Sequence, residues 1–268
     1  MKLEFERWMA REKGSGTDPS VRHMRGWLAE FGMDIRVERL IVATYAELSQ
    51  RAWVRAAEIV DPPESVDDVQ DDMQLRSQEM PDKGRWAIAV ERAGALFGKP
   101  VDARVISPRA VARLSRISAQ ADELRAPAAE LVSVLESSLS RLGVAGEPVS
   151  ERLRTAEVAE SLLTALHRAN GPVDLVAALA DHPCDDVPLS TLSRSLHSAS
   201  EVVRALRNAE WQVLDRLPTL RHPDAVGVRD TLRTGAASNE IAAPLAKVLT
   251  DAKNRTLQLI VALEPPAP

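Results

Sequence analysis

Apolar residues in the middle of the chain recur with the period of a helix, and this recurrence constrains the fold more than any single motif does. Leu124, Ala128, Leu131, Leu135 and Leu142 follow at steps of four, three, four and seven residues, and Val132 and Leu139 widen the line. Such steps place side chains on one helical face. A sustained heptad-like line predicts a long helix packed along a neighbour. Pro127 should kink that helix or begin a new one. Beyond a turn at Gly143 and Gly146-Glu147-Pro148, Ser150 is placed to cap a return helix. The face of that helix is Leu153, Ala156, Ala159, Leu162, Leu163 and Leu166. The pair reads as a long antiparallel helical hairpin.

The composition agrees with this reading. Hydrophobic residues make up 45% of the 268 residues but aromatics only 3%, so Ala, Leu and Val carry the apolar mass. Ala and Leu favour helix, and no alternating Val/Ile/Thr/Tyr run marks a strand. The expected fold is all-α: an irregular multi-helix assembly with no sheet of consequence. Asp18-Pro19 should open a first helix carrying Val21, Met24, Trp27, Leu28 and Phe31, closed by Gly32. A longer helix should run from Asp34 to Val60, with Leu40, Ile41, Thr44, Leu48 and Ala52 on one side and Asp61-Pro62-Pro63 as its stop. Residues 61–80 read as an acidic connector, since Asp61, Glu64, Asp67, Asp68, Asp71 and Asp72 precede the next base, Arg76. A helix resumes near Pro81 and ends at Gly98, and 99–106 form the next connection. Ser107-Pro108 opens the long periodic region. Further helices are expected at 172–180, 190–217, 223–234 and 238–263, with caps at Ser190 and Ser238. The organisation expected is an N-terminal helical segment over 1–98, containing the connector 61–80, and a helical bundle over 107–268. The final EPPAP reads as a frayed end.

Charge and cysteine content narrow the function classes. Lys plus Arg is 34 and Asp plus Glu is 39, a net charge of −5. This excludes a broadly basic protein that coats nucleic acid. A single cysteine, Cys184, excludes a disulfide framework and a Cys-rich zinc site, and fits a reducing cytosol. The start MKLEFERWMARE has acidic residues and no apolar core, so it is not a signal peptide. Apolar runs such as Leu40–Ala43 and Leu257–Leu263 are too short to span a bilayer. The location expected is cytoplasmic, with no membrane partner.

No motif carries catalysis. Gly94–Pro100 resembles a phosphate-binding loop only faintly. Three residues rather than four separate its glycines, Pro100 stands where a magnesium-binding hydroxyl belongs, and a helix rather than a strand precedes it. It reads as a helix end with Gly98 left-handed. His182-Pro183-Cys184-Asp185-Asp186 gathers four potential metal ligands, but neighbours this close do not converge on one ion, and neither His167 nor His197 is motivated as a second cluster. It reads as a polar loop. The five histidines, completed by His23 and His222, are scattered. Arg109, Arg113 and Arg116 share one helical face, flanked by Arg104 and Arg125, and could track phosphates. The plainer alternatives are a solvated face or a surface meeting the acidic 61–72 segment, and no aromatic stacking partner lies nearby. Trp8, Trp27, Trp53, Trp86 and Trp211 sit in helix-like patterns and read as core, whereas an exposed one would mark a partner surface.

One stretch bears a family resemblance. Arg51-Ala52-Trp53-Val54-Arg55 is followed by Asp72-Met73-Gln74-Leu75-Arg76, Pro81, Trp86, Ala93 and Leu96-Phe97-Gly98. With Arg152-Leu153-Arg154-Thr155-Ala156, Leu162-Leu163, Leu206 and Trp211, this resembles the C-terminal region of the BrxC/PglY phage-resistance ATPases of BREX and phage-growth-limitation systems. The resemblance spans about residues 30–260 and rests on packing motifs. It implies a large ATPase acting with other subunits against incoming DNA, with its nucleotide site in an upstream region that this sequence does not contain, so no functional residue carries over. The chain is therefore expected to be no enzyme, with no catalytic, cofactor or metal residues and no cofactor. Its expected work is that of a helical interaction or scaffold module, with other defence subunits or upstream parts of the same protein as partners. The alternatives are a nucleic-acid-contacting module using Arg109, Arg113 and Arg116, which is not favoured, and an enzyme without a recognisable signature.

Overall fold

A computed structural model describes residues 4, 7, 8, 18–144, 149–184 and 186–263. The expected turn at 146–148, Asp185 and the EPPAP tail lie outside the described residues. The chain forms two compact units. One comprises Met1–Glu91, Lys99–Arg116 and Asn170–Ala180, and the other Arg92–Gly98, Ile117–Ala169 and Asp181–Pro268. The structure is largely all-α, as expected, with one small sheet that helical periodicity did not foresee.

In the first unit, α1 (Val21–Leu28) is capped by Ser20, whose hydroxyl accepts from the His23 amide at 3.2 Å, rather than by Asp18. Val21, Met24 and Leu28 turn inward. A 3-10 turn, Ala29–Phe31, ends at Gly32 with φ 60°, which a Cβ would penalise. Asp34 accepts from the Arg36 amide at 2.8 Å and opens α2 (Ile35–Leu48).

The expected helix from Asp34 to Val60 stops twelve residues early. Gln50 has φ 52°, which breaks the helix, and the chain becomes β1 (Arg51–Arg55) and β2 (Glu58–Val60). β3 (Gln74–Ser77) pairs on the other side of β1, giving the antiparallel order β2-β1-β3. In register, Trp53 stands between Val60 and Leu75, and Val54 between Ile59 and Gln74. Ala52, Trp53 and Val54 are buried consecutively because a central strand is covered on both faces, so no alternation shows in the sequence. The segment entering α1 extends the sheet: the Leu75 amide donates to the Pro19 carbonyl at 3.0 Å and the Val21 amide to the Met73 carbonyl at 2.8 Å. Val21, Met24, Leu28, Ile41, Val42, Tyr45, Trp53, Val69, Met73 and Leu75 form one core between α1, α2 and the sheet.

The β1–β2 hairpin turns on two alanines. Arg55 pairs with Glu58, so Ala56 and Ala57 are the whole loop, with φ 48° and 70°. Positive φ at both central positions is the twist that a two-residue hairpin requires, and an asparagine followed by a glycine normally supplies it. Alanine in that region costs roughly 1–2 kcal/mol per residue. The double substitution Ala56→Asn with Ala57→Gly is expected to stabilise the chain by about 1–2 kcal/mol, read from urea unfolding. An unchanged or lower midpoint would show that the turn carries no such strain.

The acidic connector is ordered, and arginines neutralise it. Asp61 pairs with Arg116, Asp67 with Arg36 at 2.8 Å, Asp71 with Arg25 at 2.8 Å and Asp72 with Arg55 at 2.8 Å. Asp68 instead closes a capping box with Ser65 around the 3-10 turn Val66–Asp68. Arg25 also grips buried Glu38 at 2.8 Å. These two carboxylates raise the pKa of its guanidinium, Asp71 through the stronger hydrogen bond and burial opposing both.

Pro81 precedes α3 (Lys83–Phe97), whose first turn Asp82 caps through the Gly84 and Arg85 amides at 2.8 and 3.2 Å. Those donors hold the Asp82 carboxyl below the ordinary range. Gly98 ends the helix with φ 64°, as expected. Ser107 caps α4 (Pro108–Ser115) through the Ala110 amide at 3.2 Å. The long periodic region then divides at Arg116 rather than at Pro127.

In the second unit, α5 (Ile117–Arg141) runs through Pro127 as one helix. After Gly143, with φ 71°, the chain returns as α6 (Glu151–His167), capped by Ser150. α7 (Pro172–Asp181) follows in the chain and belongs to the first unit up to Ala180, and α8 (Leu189–Arg207) lies in the second. The hairpin is as expected, and α8 packs on both its helices. Leu131, Leu135, Leu139, Leu142 and Ala156 join Ala199, Val202, Val203 and Leu206 in one core. The expected helix 190–217 is three pieces: α8, a single turn α9 (Trp211–Leu214) and a 3-10 turn Leu217–Thr219. Pro188, not Ser190, stands at the start of α8. α10 (Pro223–Ala237) and α11 (Leu245–Leu263) complete the core. Ser238 closes α10 instead of opening the last helix, because Pro244 delays α11 to Leu245.

Candidate functional site

The arginine face lies on α4. Arg109, Arg113 and Arg116 are all exposed, as the helical spacing requires. Arg116 is committed to Asp61. Arg109 and Arg113 form no ion pair among the described residues, so two free cations remain of the three. Arg109 also lines a shallow cavity of about 320 Å³ with Glu47, Trp53, Pro62, Pro63 and Glu64. Two carboxylates beside one guanidinium make this cavity a poor anion site.

Gly94–Pro100 has no nucleotide geometry. Gly94 lies inside α3, its carbonyl accepts from the Gly98 amide at 3.1 Å, and no strand precedes it. Among the described residues no group of three His, Cys, Asp or Glu side chains could hold a metal. His197 Nε2 meets the Leu96 carbonyl at 2.9 Å and His167 Nδ1 meets Asp122 at 2.7 Å. Burial lowers the pKa of His182, which favours its neutral form. Trp53 and Trp86 are buried. Trp8 and Trp27 are half-buried against each other at 5.4 Å, and Trp211 is half-buried under Arg141.

A deeply buried charge cluster went unnoticed in the sequence. Arg152, 3% exposed on α6, pairs with Glu240, 7% exposed in the loop between α10 and α11. Its guanidinium also donates to the carbonyls of Gly235 at 3.0 Å, Ala236 at 3.1 Å and Ala243 at 2.6 Å. Gly235 and Ala236 lie in the last turn of α10, whose carbonyls lack intrahelical donors. Glu240 accepts from the Leu245 amide at 3.1 Å, at the first turn of α11. A cation thus sits at one helix C-terminus and an anion at the next N-terminus, each complementing the local dipole. Burial lowers the Arg152 pKa to about 10, against the raising charge of Glu151, so the group stays protonated at neutral pH. The cluster is closed to solvent and fully used in fastening helices.

α2 carries a second apolar line apart from the side that faces the core. Ile41, Val42, Tyr45 and Ala46 face the core. At 100° per residue, Val37, Leu40, Thr44 and Leu48 fall within an arc of about 80° on another side. All four are exposed, Leu40 at 51% and Leu48 at 61%. Of the expected single apolar side, Ile41 meets the core, Leu40, Thr44 and Leu48 meet solvent, and Ala52 falls in β1.

The family model of the BREX system ATPase PglY protein 6th domain matches residues 90–265. The chain belongs to the PglY sixth-domain family. No solved structure matches it. The match covers α4 to α11 with the Arg152–Glu240 lock and the arginine face, whereas α2 and the sheet precede it. No described helix of this PglY-type chain is long and apolar enough to cross a membrane.

Proposed function

We propose that the chain is a non-catalytic interaction module of a cytoplasmic BREX defence ATPase, with other defence subunits or further parts of the same protein as partners. The exposed apolar line of α2 supports this reading. A helix apolar on two faces is ordinarily covered on both, and exposed apolar patches of this kind mark contact surfaces. In a phage-challenge assay, Leu40→Glu with Leu48→Glu, placed in the complete system, is expected to lose protection while the chain keeps its helical circular-dichroism signal. Full protection by the double variant would refute the reading. The purified chain is not expected to hydrolyse ATP.

The nucleic-acid reading draws on the two free arginines of α4. Two or three phosphate contacts release few counterions and give modest affinity, and the net charge of −5 opposes approach. Weak or no DNA binding is expected near ~150 mM salt. Submicromolar binding that vanishes on changing Arg109, Arg113 and Arg116 to Glu would make DNA the partner instead.

A further inference from the structure

We propose that the outer face of α2 docks against the same face of a second copy of this chain, the two helices antiparallel about a two-fold axis. The proposal rests on the interaction-module reading and names its partner. The apolar line Val37, Leu40, Thr44 and Leu48 steps by three, four and four residues, the interval at which one helix packs along another.

The charges beside the line choose the partner. Arg36 and Glu47 lie near opposite ends of α2, and at 100° per residue they stand only about 20° apart on the same flank of the line. A two-fold axis normal to the plane of two antiparallel helices brings like flanks together. If Leu40 packs near Thr44 of the other copy, Arg36 of each copy comes beside Glu47 of the other, giving two symmetric ion pairs. A parallel arrangement would set each flank against the opposite one and lose both. Arg36 already meets Asp67 through Nε and Nη2 at 3.0 and 2.8 Å, which leaves Nη1 for a second carboxylate. Glu47 is exposed and makes no ion pair among the described residues. The face is about three turns long, small beside a standard interface, so the association is weak and reversible.

Sedimentation equilibrium of the full chain over a micromolar-to-millimolar series tests this. A reversible monomer–dimer equilibrium is expected. Leu40→Glu with Leu48→Glu should leave only monomer at every concentration, with an unchanged circular-dichroism spectrum and melting temperature because both side chains are exposed. Arg36→Glu alone and Glu47→Arg alone should each weaken dimerisation about 2- to 30-fold, since each removes both symmetric pairs. The double reversal, Arg36→Glu with Glu47→Arg, should restore most of it. A chain monomeric throughout, a dimer that survives the two glutamates, or a double reversal no better than the singles would each overturn the proposal. A monomeric chain whose Leu40→Glu, Leu48→Glu variant still loses phage protection would overturn self-association while leaving the interaction module standing. A variant that is monomeric and fully protective would overturn the module alone.

Discussion

Arg152→Ala is expected to cost about 3–5 kcal/mol of unfolding free energy, the range for breaking a buried ion pair from one side. The substitution leaves Glu240 charged and buried, and strips the carbonyls of Gly235, Ala236 and Ala243 of a donor. Lysine should not rescue it, because one ammonium cannot span three carbonyls and a carboxylate as the planar guanidinium does. Glu240→Gln should cost less, since an amide oxygen can still accept from Arg152 and from the Leu245 amide. Urea unfolding of the three variants checks the order. If Arg152→Ala stays within about 1 kcal/mol of the parent, the lock is not stabilising, because ordinary surface substitutions stay within roughly that range. The site also has a steric neighbour: a Cβ on Gly235 would come within 2.9 Å of the Val248 methyl carbons, so α10 and α11 approach closely beside the lock.

Leu135→Ala should cost about 2–5 kcal/mol, the transfer loss plus the cavity left behind. Leu135 is fully buried on α5 and belongs to the core shared with Ala156 of α6 and with Ala199 and Val202 of α8. Leu124, from the same sequence line, is only half-buried, so Leu124→Ala should cost less than Leu135→Ala. Denaturant titration of both variants gives the comparison. An unchanged stability for Leu135→Ala would mean that the seam does not hold the bundle.

Much of the helical half was legible because its signals are local. A cap such as Ser107 or Ser150 acts on amides three residues ahead, and a glycine such as Gly98 or Gly143 acts on the turn it closes. The arginine face was legible for the same reason: three positions on one helix share a side whatever surrounds them. That two of the three would be free depended on Asp61, which stands 55 residues from Arg116 and reaches it only in the folded chain. The α2 surface was half legible. Its apolar content is plain, but which residues meet the core and which meet solvent depends on where the sheet and α1 lie.

The sequence by itself determined the helical class, the α5–α6 hairpin and the lack of recognised catalytic motifs, since periodicity, capping and residue inventory need no partner. Only the tertiary structure decided the sheet and the lock. Ala52, Trp53 and Val54 read as helix because Ala is a strong helix former and the strand, covered on both faces, shows no alternation. The Ala56-Ala57 turn hides the hairpin further, since alanine carries none of the usual turn signal. Pairing with β3, some twenty residues away, overrides the local preference, because cross-strand packing and burial of Trp53 outweigh a few tenths of a kcal/mol of propensity per residue. Arg152 and Glu240 are 88 residues apart, and nothing in either local pattern marks them as buried. They can be buried because two helix ends, each short of partners, are brought to the same place.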